Sequence, residues 1–298
     1  MQGILPYLIS GISVGGQYAL IAIGYTLVYG ILRLINFAHG DVFMVAGLIM
    51  VYTTASMPMY ISIPLVLIFT VILGFAIERV AYKPLRTAPR MSVMISAIGV
   101  SYFIQNMALY ITGGLNKNYP AIPWISDPVR LFGMETSRVT VITPFLTIAL
   151  VIALVLLINH TKIGMAMRAV SVDFETAQLM GIKINNVISA TFIIGTFLAA
   201  IGSILFFTNF PGVVPTAGAM PGLKAFVSAV LGGIGIIPGA VLGGIVIGLI
   251  ESFTTSYISS SMADTFVFLI LIIVLIIKPA GIAPRWPRGR SRWRRSAK

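Results

Sequence analysis

Long hydrophobic stretches broken by short polar clusters fill the chain, near 5–32, 42–57, 61–81, 91–112, 140–159, 187–208, 222–237 and 239–257, with a ninth near 263–278. A helix crossing roughly 30 Å of hydrocarbon needs about 20 apolar residues. The pattern therefore predicts an all-α polytopic membrane protein of about eight to nine transmembrane helices. A membrane barrel would need short alternating strands instead. One polar island, residues 164–183, is too long for a simple helix connection. Within it Asp173 suits an N-cap, Glu175 the positive first turn, and Gly181 a helix stop. Phe174, Ala177 and Met180 give the short helix one apolar face. A capped helix at a membrane face either anchors in the interface or fits a partner's groove.

Composition agrees with this class. Hydrophobic residues make up 58% of the chain, charged ones 9%, and mean hydropathy is +0.99. A soluble domain carries about 25% charge. The net charge of +12 does not point to nucleic acid, because seven basic residues sit in the last fourteen positions. There Arg285, Arg288, Arg290, Arg292, Arg294, Arg295 and Lys298 interleave with Trp286 and Trp293. This divides the chain into a membrane domain, 1–284, and a basic tail, 285–298, which is either solvated or held on anionic membrane lipids. There are no cysteines, so thiol chemistry is excluded. The start of the chain lacks a signal-peptide pattern, so the first span is expected to be retained.

An odd number of spans puts the termini on opposite sides. With the C-terminus cytoplasmic, sixteen Lys and Arg lie inside and four (Lys117, Arg130, Arg138 and Lys224) lie outside or near that face. The positive-inside rule selects this orientation, with the N-terminus outside. Residues 113–139 then form the largest external segment, kept from long helix by Pro120, Pro123 and Pro128. It is either a connector or a docking surface.

Candidate chemistry is sparse. Gly235, Gly239 and Gly243, and Gly244 with Gly248, follow the small-xxx-small spacing of close helix packing. A turn at 237–239 would make a hairpin whose arms carry Lys224 and Glu251 to similar depth. That predicts an ion pair near the outer end of the pathway, against independent snorkelling at the interface. Asn36, His39 and Asp41 follow the first span, with Asn36 and Gly40 ending one segment and Asp41 opening the next, or with His39 and Asp41 carrying a proton or cation. Gln17, Gln105 and Asn106 add polar groups to a pathway or bond neighbouring helices. No His-Glu-x-x-His, Gly-x-Ser-x-Gly or Walker A pattern is present, so no catalytic residues, metal or cofactor are expected.

Several segments together resemble the permease subunit of bacterial ABC importers for branched-chain amino acids, the LivH type. They are Tyr18-Ala-Leu-Ile-Ala-Ile-Gly-Tyr-Thr, Ile35-Asn-Phe-Ala-His-Gly40, Glu78-Arg-Val-Ala-Tyr-Lys-Pro-Leu-Arg86 and Ile95-Ser-Ala-Ile-Gly99, followed by Met165-Ala-Met-Arg-Ala169 and Leu179-Met-Gly-Ile182. Met220-Pro-Gly-Leu-Lys-Ala-Phe226 and Ala229-Val-Leu-Gly-Gly-Ile-Gly235 with Ile237-Pro-Gly-Ala240 complete the series. The Arg-rich tail departs from that pattern. The resemblance implies that the island is the cytoplasmic coupling helix and loop that engage an ATPase subunit, with Arg168, Asp173, Glu175, Ala177, Leu179 and Gly181 at its core. It implies a heterodimer with a second permease subunit, two ATP-binding subunits and an extracytoplasmic substrate-binding protein. It also implies an inner-membrane location and a branched-chain or related amino acid as substrate. Pathway or gating candidates are then Gln17, Asn36, His39, Asp41, Gln105, Asn106, Lys224 and Glu251. Two other readings compete. A gradient-driven transporter would couple through Asp41, Glu251 or His39, and a channel-like subunit would not pump. The charges are expected toward the ends of spans, which disfavours gradient coupling.

Overall fold

The computed structural model describes residues 4–86, 88–131, 134–278 and 281–282. The basic tail at 285–298 lies outside the described residues. In chain order the helices are α1 (Leu5–Leu32), α2 (His39–Thr54), α3 (Met59–Ile77), α4 (Arg90–Thr112), α5 (Arg138–His160), α6 (Lys162–Val172), α7 (Phe174–Leu179), α8 (Ile184–Asn209), α9 (Ala219–Gly232), α10 (Ile237–Tyr257) and α11 (Ala263–Ile277). A π-helical turn, Glu78–Tyr82, continues α3, and a 3₁₀ turn, Ser260–Met262, leads into α11. Four short strands complete the described elements: β1 (Lys117–Asn118), β2 (Pro128–Leu131), β3 (Met134–Ser137) and β4 (Gly212–Val213). β1 pairs antiparallel with β4, and β2 with β3. These strands mark one membrane face, the hairpin face; α6 and α7 mark the other, the island face.

Seven helices among the described residues are long and apolar enough to cross a membrane: α1, α3 with its π turn, α4, α5, α8, α10, and α11 with its 3₁₀ turn. The spans expected at 42–57 and 222–237 are instead the 16-residue α2 and the 14-residue α9. At a 1.5 Å rise these reach about 24 and 21 Å, short of the hydrocarbon thickness. Both begin in the middle of the membrane. His39, the first residue of α2, packs against Gly24 of α1 and near Gly195 in the middle of α8. A Cβ on Gly40 would meet Gly218 and Gly222 at the start of α9, so the two N-termini touch. From there α2 runs to the hairpin face, where Gly47 meets Phe207 and Tyr52 donates to Ile111 O. α9 runs the opposite way and ends with Gly232 against Gly239. In each case the preceding segment re-enters the membrane, so it and its half-helix together make one crossing.

This arrangement repeats within the chain. α1 packs on α9 and α10, as α8 packs on α2 and α3; α2 touches α3 and α4, as α9 touches α10 and α11. α1–α4 and α8–α11 are thus two repeats that run in opposite directions across the membrane. They meet along α1 and α8, the most buried of the spanning helices.

The core is assembled by small residues rather than bulk. Lipid tails are as apolar as Leu, so helices in a membrane associate through close packing and interhelical hydrogen bonds. Both glycine stripes are used, each on its own neighbour: Gly244 and Gly248 meet Gly15, Ala19 and Gly11 of α1, and Gly243 meets Ser228 and Gly232 of α9. The turn before α10 lies at 233–236, where Gly233 and Gly235 adopt positive φ, and Pro238 opens the helix instead of breaking it. A Cβ at Gly248 would collide with Gly15 N and Gly11 O, whereas one at Gly99 meets nothing within 4 Å. Gly248→Leu is therefore expected to destabilise the protein by about 1–3 kcal/mol. Gly99→Leu should change stability by less than about 0.5 kcal/mol. Thermal unfolding of both variants in mild detergent checks the contrast.

Candidate functional site

The half-helix junction gathers the first set of polar candidates. Asn36 is buried in the segment entering α2, and its Oδ1 accepts from the Tyr82 hydroxyl at 2.9 Å. His39, Gly40 and Asp41 form the first turn of α2 rather than a boundary between two segments. His39 is enclosed by Gly24, Gly195 and Tyr25, whose ring lies edge-on at 5.0 Å. Asp41 lies where the helix dipole is positive. Its carboxylate also accepts from Ser101 Oγ and from Gln105 Nε2, the latter at 2.8 Å. Asp41 and Gln105 are thus brought together, tying α2 to α4. Gln17 stands apart: Nε2 donates to Leu205 O at 3.3 Å and joins α1 to α8.

Lys224 and Glu251 meet as expected, at 2.7 Å, and Asp264 accepts from the same ammonium at 2.7 Å. Lys224 is only 8% exposed in its side chain and also lies 5.8 Å from the Tyr18 ring centre. This cluster joins α9, α10 and α11, as Asp41, Ser101 and Gln105 join α2 to α4. Asp41 begins at mid-membrane, and Lys224 lies on α9 only about half a turn beyond Gly222. The charges are therefore not confined to span ends, contrary to expectation.

Asn106 is exposed in the last third of α4, between Tyr102 and Tyr110 on its outward face, and donates to Tyr102 O of its own helix at 2.8 Å. Hydrocarbon solvates an amide poorly, so this face suits contact with protein or water.

On the island face the chain forms two short helices, where the sequence spacing indicated only one. Thr161 caps α6 by accepting from Gly164 N. Arg168 braces α6 against the end of α5, donating to Ile158 O at 2.6 Å and Asn159 Oδ1 at 3.1 Å. Asp173 caps α7, accepting from Glu175 N at 3.1 Å, Thr176 N at 3.3 Å and the Thr176 hydroxyl at 2.6 Å. The Thr176 hydroxyl first, and then the backbone N–H groups, hold its carboxyl below the usual range. The cap is thus in place above the ordinary carboxylate pKa of about 3.9 and is lost as pH falls through the lower folded value. Gly181 turns the chain at φ +81°, a conformation that favours glycine. Ala177 is buried, but Leu179 and Met180 are 87% and 79% exposed. Glu175 lies in the first turn of α7 and is exposed. Beside them is a hollow of about 590 Å³, lined by Met165, Ala169, Val172, Ala177, Met180 and Ile182 among others.

Spacing did not point to Ser101 or Asp264. Asp264, a lone acid in the first turn of the last span, carried a legible signal; Ser101 carried none.

Truncating Lys224 leaves two carboxylates without their shared cation. Lys224→Met and Glu251→Gln should therefore be non-additive, with a coupling of about 0.5–3 kcal/mol by denaturant unfolding in mild detergent. Simple additivity would remove the pair as a stabilising contact.

Comparison with known proteins matches the sequence to a family. The family model described as "Branched-chain amino acid transport system / permease component" matches residues 7–275. The high-affinity branched-chain amino acid transport system permease protein BraD of Pseudomonas aeruginosa is 39% identical, covering 94% of this chain and 96% of the relative. The corresponding LivH proteins of Salmonella typhimurium and Escherichia coli K12 are 38% and 37% identical over the same shares. By this match over nearly its whole length, the chain belongs to the branched-chain amino acid transport permease family.

Proposed function

We propose that this chain is one permease subunit of an ATP-driven importer and forms half of the pathway for a branched-chain or related amino acid. The observation that carries the reading is the short, capped α7, which holds Leu179 and Met180 out beside an apolar hollow on one membrane face. Exposed apolar groups on a rigidly capped helix suit a partner's groove better than solvent. An ATPase subunit docked there moves α7 on binding and hydrolysing ATP. Ligand binding alone cannot drive accumulation, so the cycle must bias two states in turn.

In this reading the island face is cytoplasmic, as the positive charge selects. The second permease subunit covers the outward face of α4, so that Tyr102, Asn106 and Tyr110 border the pathway. The substrate-binding protein docks on the hairpin face, around 113–139 and 211–218. Glu175 and Leu179 contact the ATPase subunit, while Arg168, Asp173, Ala177 and Gly181 hold the shape that presents them. The complete complex has two ATP-binding subunits and lies in the inner membrane.

A second reading, gradient-driven transport, draws support from the mid-membrane position of Asp41. Uptake into proteoliposomes separates the two. The importer needs ATP and the full set of subunits; a secondary transporter needs only a gradient. Proline fixes φ near −65° and cannot occupy the φ of +81° at Gly181. Gly181→Pro should leave membrane insertion intact and lower ATP-driven uptake about fivefold or more. Normal uptake by that variant would take the loop out of the mechanism.

A further inference from the structure

Glu78 sits where α3 passes into the π-helical turn on the island side, and its side chain is fully buried. Arg86 forms an ion pair with Glu78, and Ser189 Oγ donates to the other carboxylate oxygen at 2.9 Å. Arg86 also donates to Asn185 Oδ1. Asn185 and Ser189 lie on the first two turns of α8, which follows α7 directly. The Ile182 N–H donates to Ala177 O at 3.1 Å, so α7 and the lead into α8 are also hydrogen-bonded. At the far end of the π turn, Tyr82 packs against Phe192 of α8 at 5.2 Å and donates to Asn36. Asn36 O in turn accepts from His39 N at 3.1 Å, at the start of α2.

One unbroken set of contacts therefore runs from α7 through α8, Glu78 and Tyr82 to the half-helix that begins in mid-membrane. Stability alone does not call for it. A buried ion pair contributes little beyond well-packed apolar residues of the same volume, and its best-attested use is to set register. The turn it holds is also uncommon. Lys83 N donates to Glu78 O at 2.9 Å, an i→i+5 bond. Such turns are rare within α-helices and concentrate at functional positions. They can change to i→i+4 bonding, which rotates the residues beyond them.

We propose that Glu78 is a positioning residue of the transport cycle. Displacement of α7 moves the start of α8, Glu78 and Arg86 carry it into the π turn, and Tyr82 passes it to Asn36, which sets where α2 begins. This rests on the importer reading, in which α7 is moved by an ATPase subunit.

The test uses the complete complex in liposomes, with amino acid uptake and ATP hydrolysis measured in the same vesicles. Glu78→Gln keeps the shape and removes the charge; Tyr82→Phe removes only the hydroxyl that reaches Asn36. Both should co-purify with their partners and hydrolyse ATP within about twofold of the unmodified complex, while substrate moved per ATP falls about fivefold or more. An unchanged ratio in both variants overturns the proposal. So does a proportional loss of hydrolysis and uptake, which is the signature of a purely structural role. If Glu78→Gln fails to assemble, Tyr82→Phe decides alone, and an unchanged ratio there overturns it. The importer reading fails by a different result: uptake by the unmodified complex without ATP hydrolysis.

Discussion

In hydrocarbon every backbone polar group needs a partner inside the protein, and the fold of this chain turns on how it meets that demand at two helix starts. A helix that begins in mid-membrane exposes N–H groups with no intrahelical partner. At α2, the preceding segment supplies them: Ala38 O accepts from Asp41 N and Val42 N, and Asn36 O from His39 N. At α9, Gly218 O and Thr216 O accept from Gly222 N and Ala219 N. The segment before α2 buries Asn36 and Ala38, and the one before α9 buries Val213, Pro215 and Gly218. Gly40, Gly218 and Gly222 then let the two starts touch. Without these partners neither half-helix could start where it does.

Charge follows from the same constraint. The ammonium of Lys224 and the carboxylates of Asp41 and Glu78 each have protein partners, since an isolated buried charge is expensive. The two repeats meet the requirement in opposite ways. One places an acid on its half-helix and neutral donors on α4; the other places a base on its half-helix and acids on α10 and α11. Each tie runs from a half-helix to the last helix of its own repeat.

The hub helices and the surface helices also divide the work. α1 and α8 are largely buried, while α4, α5 and α11 turn large apolar side chains outward. Among those outward faces α4 carries an amide, and the island face carries exposed Leu179 and Met180. Membership of a permease family gives these unpartnered features a common explanation: the subunit works within a larger assembly.

The sequence alone determined the class, the approximate positions of the apolar segments and the α7 cap from Asp173 to Gly181, and it offered the meeting of Lys224 with Glu251 as one of two readings. These are set by local hydrophobic length, by N-cap and glycine chemistry, and by charges that need a neighbour in a membrane. It did not disclose that 42–57 and 222–237 hold half-helices. Hydropathy records how apolar a segment is, not the depth at which it starts. Nor did it join Asp41 to Ser101 and Gln105, Asp264 to Lys224, or Glu78 to Ser189. These pairs come from helices distant in sequence, and only tertiary packing decides which polar side chains finally share a buried site.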